Sequence, residues 1–383
     1  MHLIHIITPE YLPDRGGVGD YVRGIARGLA EAGDDVHVWC KSGGHGEPGD
    51  RFLVHPDFGQ FRASDLKHAG AALDRFPAPR RLLVQWVPHG YGYRAMNLRF
   101  CVWLWQRASA GDVVELMVHE PYLAWGGSSR QMAAAVVHRA MTMILLRAAR
   151  RVWVSIPAWE PMLKPYALGR AVPFGWLPIP SSLRDPDARA VATLRAAFSG
   201  DGRFLVGHLG TYGTLIAPML SDVLVELLRQ PGAPRILLLG TGATAFAVGF
   251  LARHPEWCES VRAVGTLTDS DLSAHVAACD AMIQPYPDGI SSRRTTAMAA
   301  LAMGVPVVTS HGALSESIWR ESGAVRLTDA GDARAMAAQT MQLLQQTGAR
   351  QALREAGRSL YGREFALSRT IGALRGADSG KAA

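Results

Sequence analysis

Serines and arginines stand together in the stretch QPYPDGISSRRTTAMAALAMGVPVVTS, residues 284–310. A predicted strand ends at Pro285, and a predicted helix of small residues follows a short polar loop. The loop and the helix start hold Asp288, Gly289, Ser291, Ser292, Arg293 and Arg294. Backbone N–H groups, the helix dipole and fixed positive charge would coincide there, which suits a diphosphate. The alternative is a solvated helix start, although arginines that early in a helix are disfavoured without an anion.

A glycine-rich turn near the start of the chain, PDRGGVGDYVR, follows a short apolar run and opens a helical pattern. Gly16, Gly17 and Gly19 leave the backbone N–H groups of the helix start accessible to a phosphate or a sugar. Asp20 is predicted to be the N-cap or a first-turn acid. The alternative interpretation is a tight strand-to-helix turn and nothing more.

Two further glycine turns follow predicted strands in the second half of the chain. HLGTYGT contributes Gly210, Thr211 and Tyr212, and LLLGTGATA contributes Gly240 and Gly242. The second turn has the form of a dinucleotide fingerprint, but it follows the second strand of its half, and no clear acid ends the next strand. We therefore expect these turns to contact a phosphorylated donor, and we do not expect hydride chemistry.

Histidines and tyrosines follow two strands of the first half. MVHEPYLAWGG places His119 and Glu120 at the end of a predicted strand, where active residues of parallel sheets collect. A neutral histidine there could bind a sugar hydroxyl, with the glutamate orienting its ring. VQWVPHGYGYRAMN adds a second group of polar-tipped side chains, Trp86, His89, Tyr91 and Tyr93. We predict that Asp20, His89, Tyr91 and Glu120 lie on the acceptor side, the alternative being structural packing.

Short apolar runs alternate with helical patterns along the whole chain, as in parallel βαβ units. The stretch VPFGWLPIPSSLRDPD, residues 172–187, breaks the pattern and is predicted to be an interdomain linker. The sequence therefore predicts an α/β protein with two tandem Rossmann-like, doubly wound domains, residues 1–180 and 181–362. Ligands bind beyond the carboxyl ends of such strands, so we expect the two sheets to face one another across a cleft.

The composition restricts the class of protein further. The chain has 383 residues and a formal charge of +7, without an arginine- or lysine-rich block or a nucleic-acid motif. The positive field suits nucleotide diphosphates or an anionic membrane surface rather than nucleic acid. The four scattered cysteines are expected to be reduced, and we predict neither a signal peptide nor a membrane span. We expect a cytoplasmic protein, either free or at the inner face of the membrane.

One long predicted helix bears on the membrane question. Between Arg130 and Arg151, the arginines Arg139, Arg147, Arg150 and Arg151 fall within about a third of the circumference. We expect a core helix with this basic side in solvent and the apolar side buried. A membrane-surface helix facing a lipid-linked acceptor is the alternative.

Together these stretches resemble the retaining GT-B glycosyltransferases, a nucleotide-sugar-dependent group with many bacterial mannosyl- and glucosyltransferases. The resemblance covers nearly the whole chain and is carried by PDRGGVGDYVRGIARGLAEAGDDVHVW, VHEP, LLLGTGA, VGTLTDSDLSAHVAACDAMIQPYPDG and ALAMGVPVVTS. It implies a nucleotide on the second domain, with Leu267 among the donor-binding residues. It also implies no bound metal and no cofactor beyond the nucleotide sugar as co-substrate. The last helix, residues 363–383, would cross back to the first domain.

The chain departs from the family pattern in two places. The paired glutamates that usually precede the G-x-P-V-V segment are replaced by Ser291 and Ala299, counting back from Gly304. The usual donor-phosphate arginine and lysine are missing from GTYGTLIAPML. Our hypothesis is that Arg293 and Arg294 hold the diphosphate instead.

The resemblance implies metal-independent transfer of a sugar from a nucleotide diphosphate to an acceptor hydroxyl, with retention of configuration, in polysaccharide, glycolipid or glycoconjugate synthesis. His119, Arg293 and Arg294 are the predicted catalytic residues. The acceptor would be a sugar, a lipid-linked molecule or another small molecule. The missing glutamates leave two other classes open: an inactive GT-B binding or partner subunit, and another GT-B enzyme such as a nucleotide-sugar epimerase or a pseudo-glycosyltransferase.

Overall fold

Short apolar runs form the parallel strands of two separate sheets in the computed structural model, which describes residues 1–14, 16–92 and 95–376. The chain divides into a first unit, residues 1–178 with the segment from Leu367, and a second unit, residues 179–366. The boundaries predicted from the sequence, 180 and 362, lie within a few residues of these. Residues 377–383 of the predicted last helix lie outside the described residues.

The first unit is built on a seven-stranded parallel sheet in the order β3-β2-β1-β4-β5-β6-β7. The strands are β1 (Leu3–Ile7), β2 (Asp35–Trp39), β3 (Leu53–His55), β4 (Arg81–Trp86), β5 (Val113–Val118), β6 (Ala149–Val154) and β7 (Phe174–Trp176). The helices are α1 (Gly17–Glu31), α2 (Ala63–Leu73), α3 (Leu98–Ser109), α4 (Ser129–Ala148), α5 (Trp159–Leu163) and α14 (Leu367–Gly376). The inner strands are buried along their length, as expected for a sheet covered by helices on both faces.

The second unit has a six-stranded parallel sheet in the order β10-β9-β8-β11-β12-β13. The strands are β8 (Leu205–Leu209), β9 (Arg235–Leu239), β10 (Val261–Val264), β11 (Ala281–Gln284), β12 (Val307–His311) and β13 (Arg326–Asp329). The helices are α6 (Ala188–Ser199), α7 (Ile216–Leu228), α8 (Ala243–Arg253), α9 (Asp269–Ala277), α10 (Thr295–Ala302), α11 (Ile318–Glu321), α12 (Ala333–Gln345) and α13 (Thr347–Leu360). The predicted fold class, two tandem Rossmann-like α/β domains, is confirmed.

Three edge strands escaped the sequence analysis. β3 and β13 are short and partly exposed, so they lack a continuous apolar run. β7 lies inside the stretch 172–187 that was predicted to be a linker, where it pairs with β6 from Val152↔Phe174 to Val154↔Trp176. The linker prediction is therefore wrong at its start, because a half-buried three-residue edge strand has too little apolar pattern to stand out among prolines.

The final helix α14 belongs to the first unit, where it packs on α1. Ile371 lies against Gly28, where an added Cβ would approach its side chain to 3.0 Å. The Arg81 guanidinium donates to the Leu374 carbonyl at 2.7 Å, and Arg375 pairs with the buried carboxylate of Asp34 at 3.0 Å. These contacts tie the end of the described chain to the first sheet.

The first half of helix α4 departs from the polarity that its sequence suggested, whereas Arg147 in its last turn is exposed as expected. Arg139, expected in solvent, is 8% exposed and donates to the carbonyls of Leu123 and Ala135 and to the hydroxyl of Tyr166. Met132 and Val136, expected in the core, are 43% and 56% exposed. The basic-side prediction is therefore wrong at Arg139, because a loop after β5 folds over this side of the helix. No helix among the described residues is long and apolar enough to cross a bilayer.

Candidate functional site

The strand order reverses between β1 and β4 in the first sheet and between β8 and β11 in the second. Ligands of open α/β sheets bind beyond the carboxyl ends of the strands at such reversal points. In the second unit, the loops after β8 and β11 carry the glycine turn at Gly210 and the polar loop at Asp288. In the first unit, the loop after β1 leads to Gly16, and the loop after β4 holds His89. Within each unit, the topology therefore brings the predicted residues to one edge of the sheet.

Asp288 joins the two arginines of the second unit. Its carboxylate accepts from the Nη2 atoms of Arg293 and Arg294, one on each oxygen. Arg294 also lies over the Tyr286 ring, with its Cζ 4.5 Å from the ring centroid. Helix α10 begins only at Thr295, so both arginines precede the helix rather than lying within its first turn. Two guanidinium groups therefore meet at one carboxylate directly before a helix N-terminus.

The two serines of this loop are buried, and one is engaged by a carboxylate that the sequence analysis missed. Glu316 Oε1 accepts from the Ser292 backbone N–H at 2.9 Å and from its hydroxyl at 2.5 Å. Glu316 Oε2 accepts from Trp319 Nε1 at 2.7 Å. The predicted diphosphate contact by the Ser292 amide is therefore corrected, since that N–H already has an anionic acceptor. The buried Ser291 hydroxyl has no hydrogen-bond partner within the described part of the chain.

The glycines of the second unit pack against one another. A Cβ on Gly240, at φ +101°, would lie 2.5 Å from the Gly210 carbonyl oxygen. One on Gly242 would lie 3.0 Å from the Thr211 oxygen, and one on Gly289 would lie 2.2 Å from the Gly312 nitrogen. The close packing of these loops explains why each position is glycine, so the glycines are not by themselves evidence of a bound ligand.

The remaining predicted donor-side residues lie in loops of the second unit. Thr211 is exposed, and Tyr212 is half-buried with its hydroxyl donating to the Leu239 carbonyl at 3.2 Å. Leu267 is half-buried directly before Thr268, whose hydroxyl caps helix α9. Tyr212 therefore braces the loops after β8 and β9, while Thr211 is open to solvent.

His208 is a buried histidine at the end of β8 that the sequence analysis did not select. It is 1% exposed, and its Nδ1 lies 2.9 Å from the Ile283 carbonyl oxygen, so Nδ1 carries the proton. Burial lowers the pKa of His208 to about 4, against the smaller opposing effect of this hydrogen bond. Its Nε2 atom is buried without a partner among the residues described, and lies where a Cβ on Gly210 would come within 2.9 Å.

The glycine loop of the first unit already holds a carboxylate. A Cβ on Gly16 would lie 1.5 Å from Glu10 Oε1, and the Gly19 backbone N–H donates to the same carboxylate. Burial raises the pKa of Glu10, and the hydrogen bond from Gly19 opposes that rise. The prediction of a diphosphate beside the Gly16–Gly17 amides is corrected, because Glu10 occupies the space that the absent Gly16 side chain leaves.

Helix α1 starts at Gly17 without a side-chain cap. Gly17 itself is open, since a Cβ there would have no neighbour within 4 Å. Asp20 is a first-turn acid rather than the N-cap, and its carboxylate lies 3.6 Å from Arg23 Nη2. A half-buried acid in the first turn interacts favourably with the helix dipole and stabilises the helix, which is the structural alternative to an acceptor role.

His119 lies at the end of β5 beside a buried glutamine. Its Nε2 is 3.0 Å from Gln85 Oε1, and the Tyr21 ring meets it edge-on at 5.1 Å between centroids. Because an amide oxygen only accepts, the imidazole carries its proton on Nε2 and keeps the Nδ1 lone pair. Burial lowers the pKa of His119 to about 3, so the ring is neutral at physiological pH. The Gln85 amide nitrogen and the Tyr21 hydroxyl are buried without partners in the described ranges.

The other acceptor-side residues separate into two environments. His89 and Glu120 are exposed, with 3.7 Å between Nδ1 and Oε2. Tyr91 is fully buried, and its hydroxyl donates to the Gln85 carbonyl at 2.6 Å and the Ile7 carbonyl at 3.3 Å. The acceptor role predicted for Tyr91 is corrected, because a side chain without exposed surface supports the loop instead. Tyr93 lies outside the described residues.

Glu10, Gln85, His208 and Glu316 carry much of this geometry and were missed because each stands outside a recognisable motif. His208 was visible as a polar residue inside the apolar run FLVGHLG. Glu316 follows β12, one helix and one strand after the loop that it supports, so no local spacing connects them. Across residues 1–14, 16–92 and 95–376, no three His, Cys, Asp or Glu side chains gather as metal ligands.

Comparisons with known proteins agree with this architecture. Residues 206–346 match the family described as "Glycosyl transferases group 1". This match covers the strands and loops of the second unit from β8 to α12, including the cluster of Asp288, Arg293 and Arg294. No curated protein sequence matches the chain significantly.

Solved structures resemble the chain over its full length. Sucrose-phosphate synthase from Thermosynechococcus elongatus has a TM-score of 0.76 at 16% identity, covering 99% of this chain and 98% of that one. Anabaena HepE in complex with UDP-glucose has a TM-score of 0.70 at 16% identity, covering 99% and 100%.

An α,α-trehalose-phosphate synthase (UDP-forming) from Burkholderia xenovorans, in complex with glucose-6-phosphate, has a TM-score of 0.69 at 13% identity, covering 97% and 99%. Identities this low establish the fold and not the substrate. The chain thus has the same two-domain fold as these solved structures, and its second unit carries the segment that matches the family described as "Glycosyl transferases group 1".

Proposed function

We propose that the chain is a retaining glycosyltransferase that moves a sugar from a nucleotide diphosphate to an acceptor hydroxyl. The observation that carries the proposal is the pair Arg293 and Arg294, which both donate to Asp288 and stand directly before helix α10. The pair lies within the segment that matches the glycosyltransferase group 1 family. The neighbouring structure with UDP-glucose supports a nucleotide-sugar donor of the same class.

The proposed chemistry needs charge stabilisation more than a protein nucleophile. The bond from the sugar C1 to the leaving phosphate oxygen breaks, and the acceptor oxygen bonds to C1 on the same face. The acceptor proton passes to an oxygen of the leaving diphosphate. Each guanidinium carries five N–H donors, so Arg293 and Arg294 can contact phosphate oxygens while Nη2 stays on Asp288. Fixed positive charge at the leaving group lowers the barrier without a bound metal ion.

His119 has the properties of a sugar-binding residue in this proposal. Its neutral ring, with the proton on Nε2 held toward Gln85, presents Nδ1 as an acceptor for a sugar hydroxyl. The cost of charging this half-buried imidazole keeps the Nδ1 acceptor available down to low pH. Exposed His89 and Glu120 are proposed acceptor-side contacts. The products belong to polysaccharide, glycolipid or glycoconjugate synthesis.

The test is a donor panel of UDP-, GDP-, ADP- and dTDP-sugars, with nucleotide release as the readout. We expect slow hydrolysis of at least one donor, retention at the anomeric carbon by NMR, and a loss of about tenfold or more in Arg293→Gln and in Arg294→Gln. Arg354→Gln, an exposed arginine on α13, is the matched control. Inversion at C1 would contradict the retaining mechanism.

A second candidate is a GT-B subunit that binds without transferring. Glu10 and Glu316 already occupy the N–H groups that an incoming anion would use, which favours this candidate. It predicts nucleotide binding without donor turnover for every sugar in the panel. Turnover that depends on Arg293 and Arg294 would exclude it.

A further inference from the structure

The outer surface of α3 and α4 is apolar where a soluble helix layer is normally polar. In α4, Met132, Ala133, Val136, Ala140 and Met143 fall within about 100° of the helical circumference, on the side where Met132 and Val136 are exposed. In α3, Leu98, Val102 and Trp105 fall within about 60°, and Leu98 and Trp105 are 38% and 47% exposed. We call these residues the α3–α4 face.

The two stripes belong to one surface. α3 connects β4 to β5 and α4 connects β5 to β6, so both helices cover the same side of the sheet and pack against each other. Trp105 of α3 and Arg147 of α4 line the same open cavity of about 320 Å³. An extended apolar patch of this kind marks a surface that meets another molecule or a membrane.

Positive charge borders the α3–α4 face at both ends. Arg99 and Arg130 are exposed near the N-terminal ends of the two helices, and Arg147 and Arg150 are exposed near the C-terminal end. Neither α3 nor α4, both described in full, contains an aspartate or a glutamate. The arginines at each end of the face would therefore attract an anionic surface, and no acidic side chain of these two helices would repel it.

The cavity at the C-terminal end concentrates this charge. Arg147, Arg150 and Arg170 line it together with Trp105. Asp112 also lines it, but its carboxylate is bound by Arg80 at 3.0 Å and by Arg107 at 2.5 Å. The local balance is therefore positive, with an aromatic ring beside it, which suits a phosphate group attached to an apolar body.

We propose that the α3–α4 face binds the surface of a bilayer that contains anionic phospholipids. Trp105, Met132 and Val136 enter the boundary between headgroups and acyl chains, and the arginines at the ends contact lipid phosphates. A second copy of the chain fits less well, because a two-fold contact would set arginines against arginines without an acid in either helix. The proposal does not depend on the proposed sugar transfer.

The test is co-sedimentation of the full chain with vesicles of phosphatidylcholine, with or without about one quarter phosphatidylglycerol. We expect binding that requires phosphatidylglycerol and weakens as salt rises. Val136→Asp, on an exposed helical position, should reduce binding about tenfold or more. The matched control is Val248→Asp, since Val248 is 66% exposed on α8 of the second unit.

The arginines are tested separately. The double variant Arg147→Gln with Arg150→Gln should weaken binding to phosphatidylglycerol vesicles by about fivefold for each arginine. The matched double variant Arg334→Gln with Arg354→Gln, on exposed positions of α12 and α13, should bind like the wild type.

Three results would overturn the proposal. The first is no binding to phosphatidylglycerol vesicles at low salt. The second is an equal effect of Val136→Asp and Val248→Asp on binding. The third is a dimer in light scattering that Val136→Asp converts to a monomer, since that would assign the face to a second copy. Nucleotide binding by Val136→Asp should equal that of the wild type, which separates a failure here from a failure of the proposed function.

Discussion

At the residue scale, Glu10 and Glu316 accept hydrogen bonds from backbone N–H groups that could otherwise bind a ligand oxyanion. Each carboxylate lies at the carboxyl edge of a sheet and accepts from backbone N–H groups, of Gly19 and Ser292 respectively. Carboxylate and phosphate oxygens use the same kind of donor, so these loops have the chemistry that the sequence predicted. The occupant is a side chain of the protein, and a ligand that binds there must displace it.

The buried His208 predicts a pH dependence of stability. Its pKa in the folded state, about 4, lies below the unfolded value of about 6.5. Between these values the unfolded chain binds more protons, so the free energy of unfolding falls as the pH falls through this window. The contribution is at most about 1.4 kcal/mol per pH unit.

Urea unfolding of the wild type and His208→Gln measures this contribution. The wild type should lose more stability than the variant between about pH 6.5 and pH 4, and the two should run parallel above pH 7. Equal slopes across the acid range would mean that His208 is not held neutral by burial.

At the scale of elements, the loop after β1 is predicted to depend on one contact. Gly16 has extended backbone that any residue adopts, yet its Cβ position is filled by Glu10 Oε1. Gly16→Ala should therefore expel the Glu10 carboxylate and lower the free energy of unfolding by about 1–3 kcal/mol. Gly17→Ala, with no neighbour within 4 Å, is the matched control and should be close to neutral.

A double-mutant cycle with Glu10→Ala isolates the contact. We expect Gly16→Ala to cost at least about 1 kcal/mol less when Glu10 is already alanine, because the clash is then absent. Strict additivity of the two substitutions would contradict the placement of Glu10.

The loops after β8 and β9 give a second prediction at this scale. Gly240→Ala combines a positive φ with a Cβ 2.5 Å from the Gly210 oxygen, and should destabilise the second unit by more than about 2 kcal/mol. Gly249→Ala, at an open position within α8, should instead stabilise it by about 0.5–1 kcal/mol. Thermal unfolding of both variants measures these changes in stability. An unchanged stability of Gly240→Ala would contradict the close approach of the two loops.

Strands were predictable from the sequence where they form a clear apolar run, and the strands without such a run were missed. The strands β1, β2, β4, β5 and β6, and β8 to β12, stand out as apolar runs, and all of these except the edge strand β10 are largely buried. The edge strands β3, β7 and β13 have few neighbours to bury against, so their sequences carry little pattern. The polarity of α4 was misjudged because Arg139 is covered by a loop, a tertiary effect that helical periodicity does not contain.

At the scale of the whole molecule, alternating strands and helices were enough to predict two α/β units, and the topology places the candidate residues of each unit at one edge of its sheet. The partners of the site residues could not be predicted in the same way. Gln85 on β4 reaches His119 at the end of the adjacent strand β5, and Glu316 reaches Ser292 from one helix and one strand further along the chain. Such pairings are set by sheet order and loop packing, which one sequence does not spell out.

The central claim is that Arg293 and Arg294 hold the diphosphate of a nucleotide sugar. Calorimetric titration of the full chain with UDP, GDP, ADP and dTDP tests it most directly, on the wild type, Arg293→Gln, Arg294→Gln and the control Arg354→Gln. We predict that one nucleotide binds the wild type and the control alike, and binds each arginine variant about tenfold or more weakly. The claim is contradicted if none of the four nucleotides binds, or if the arginine variants bind as tightly as the control.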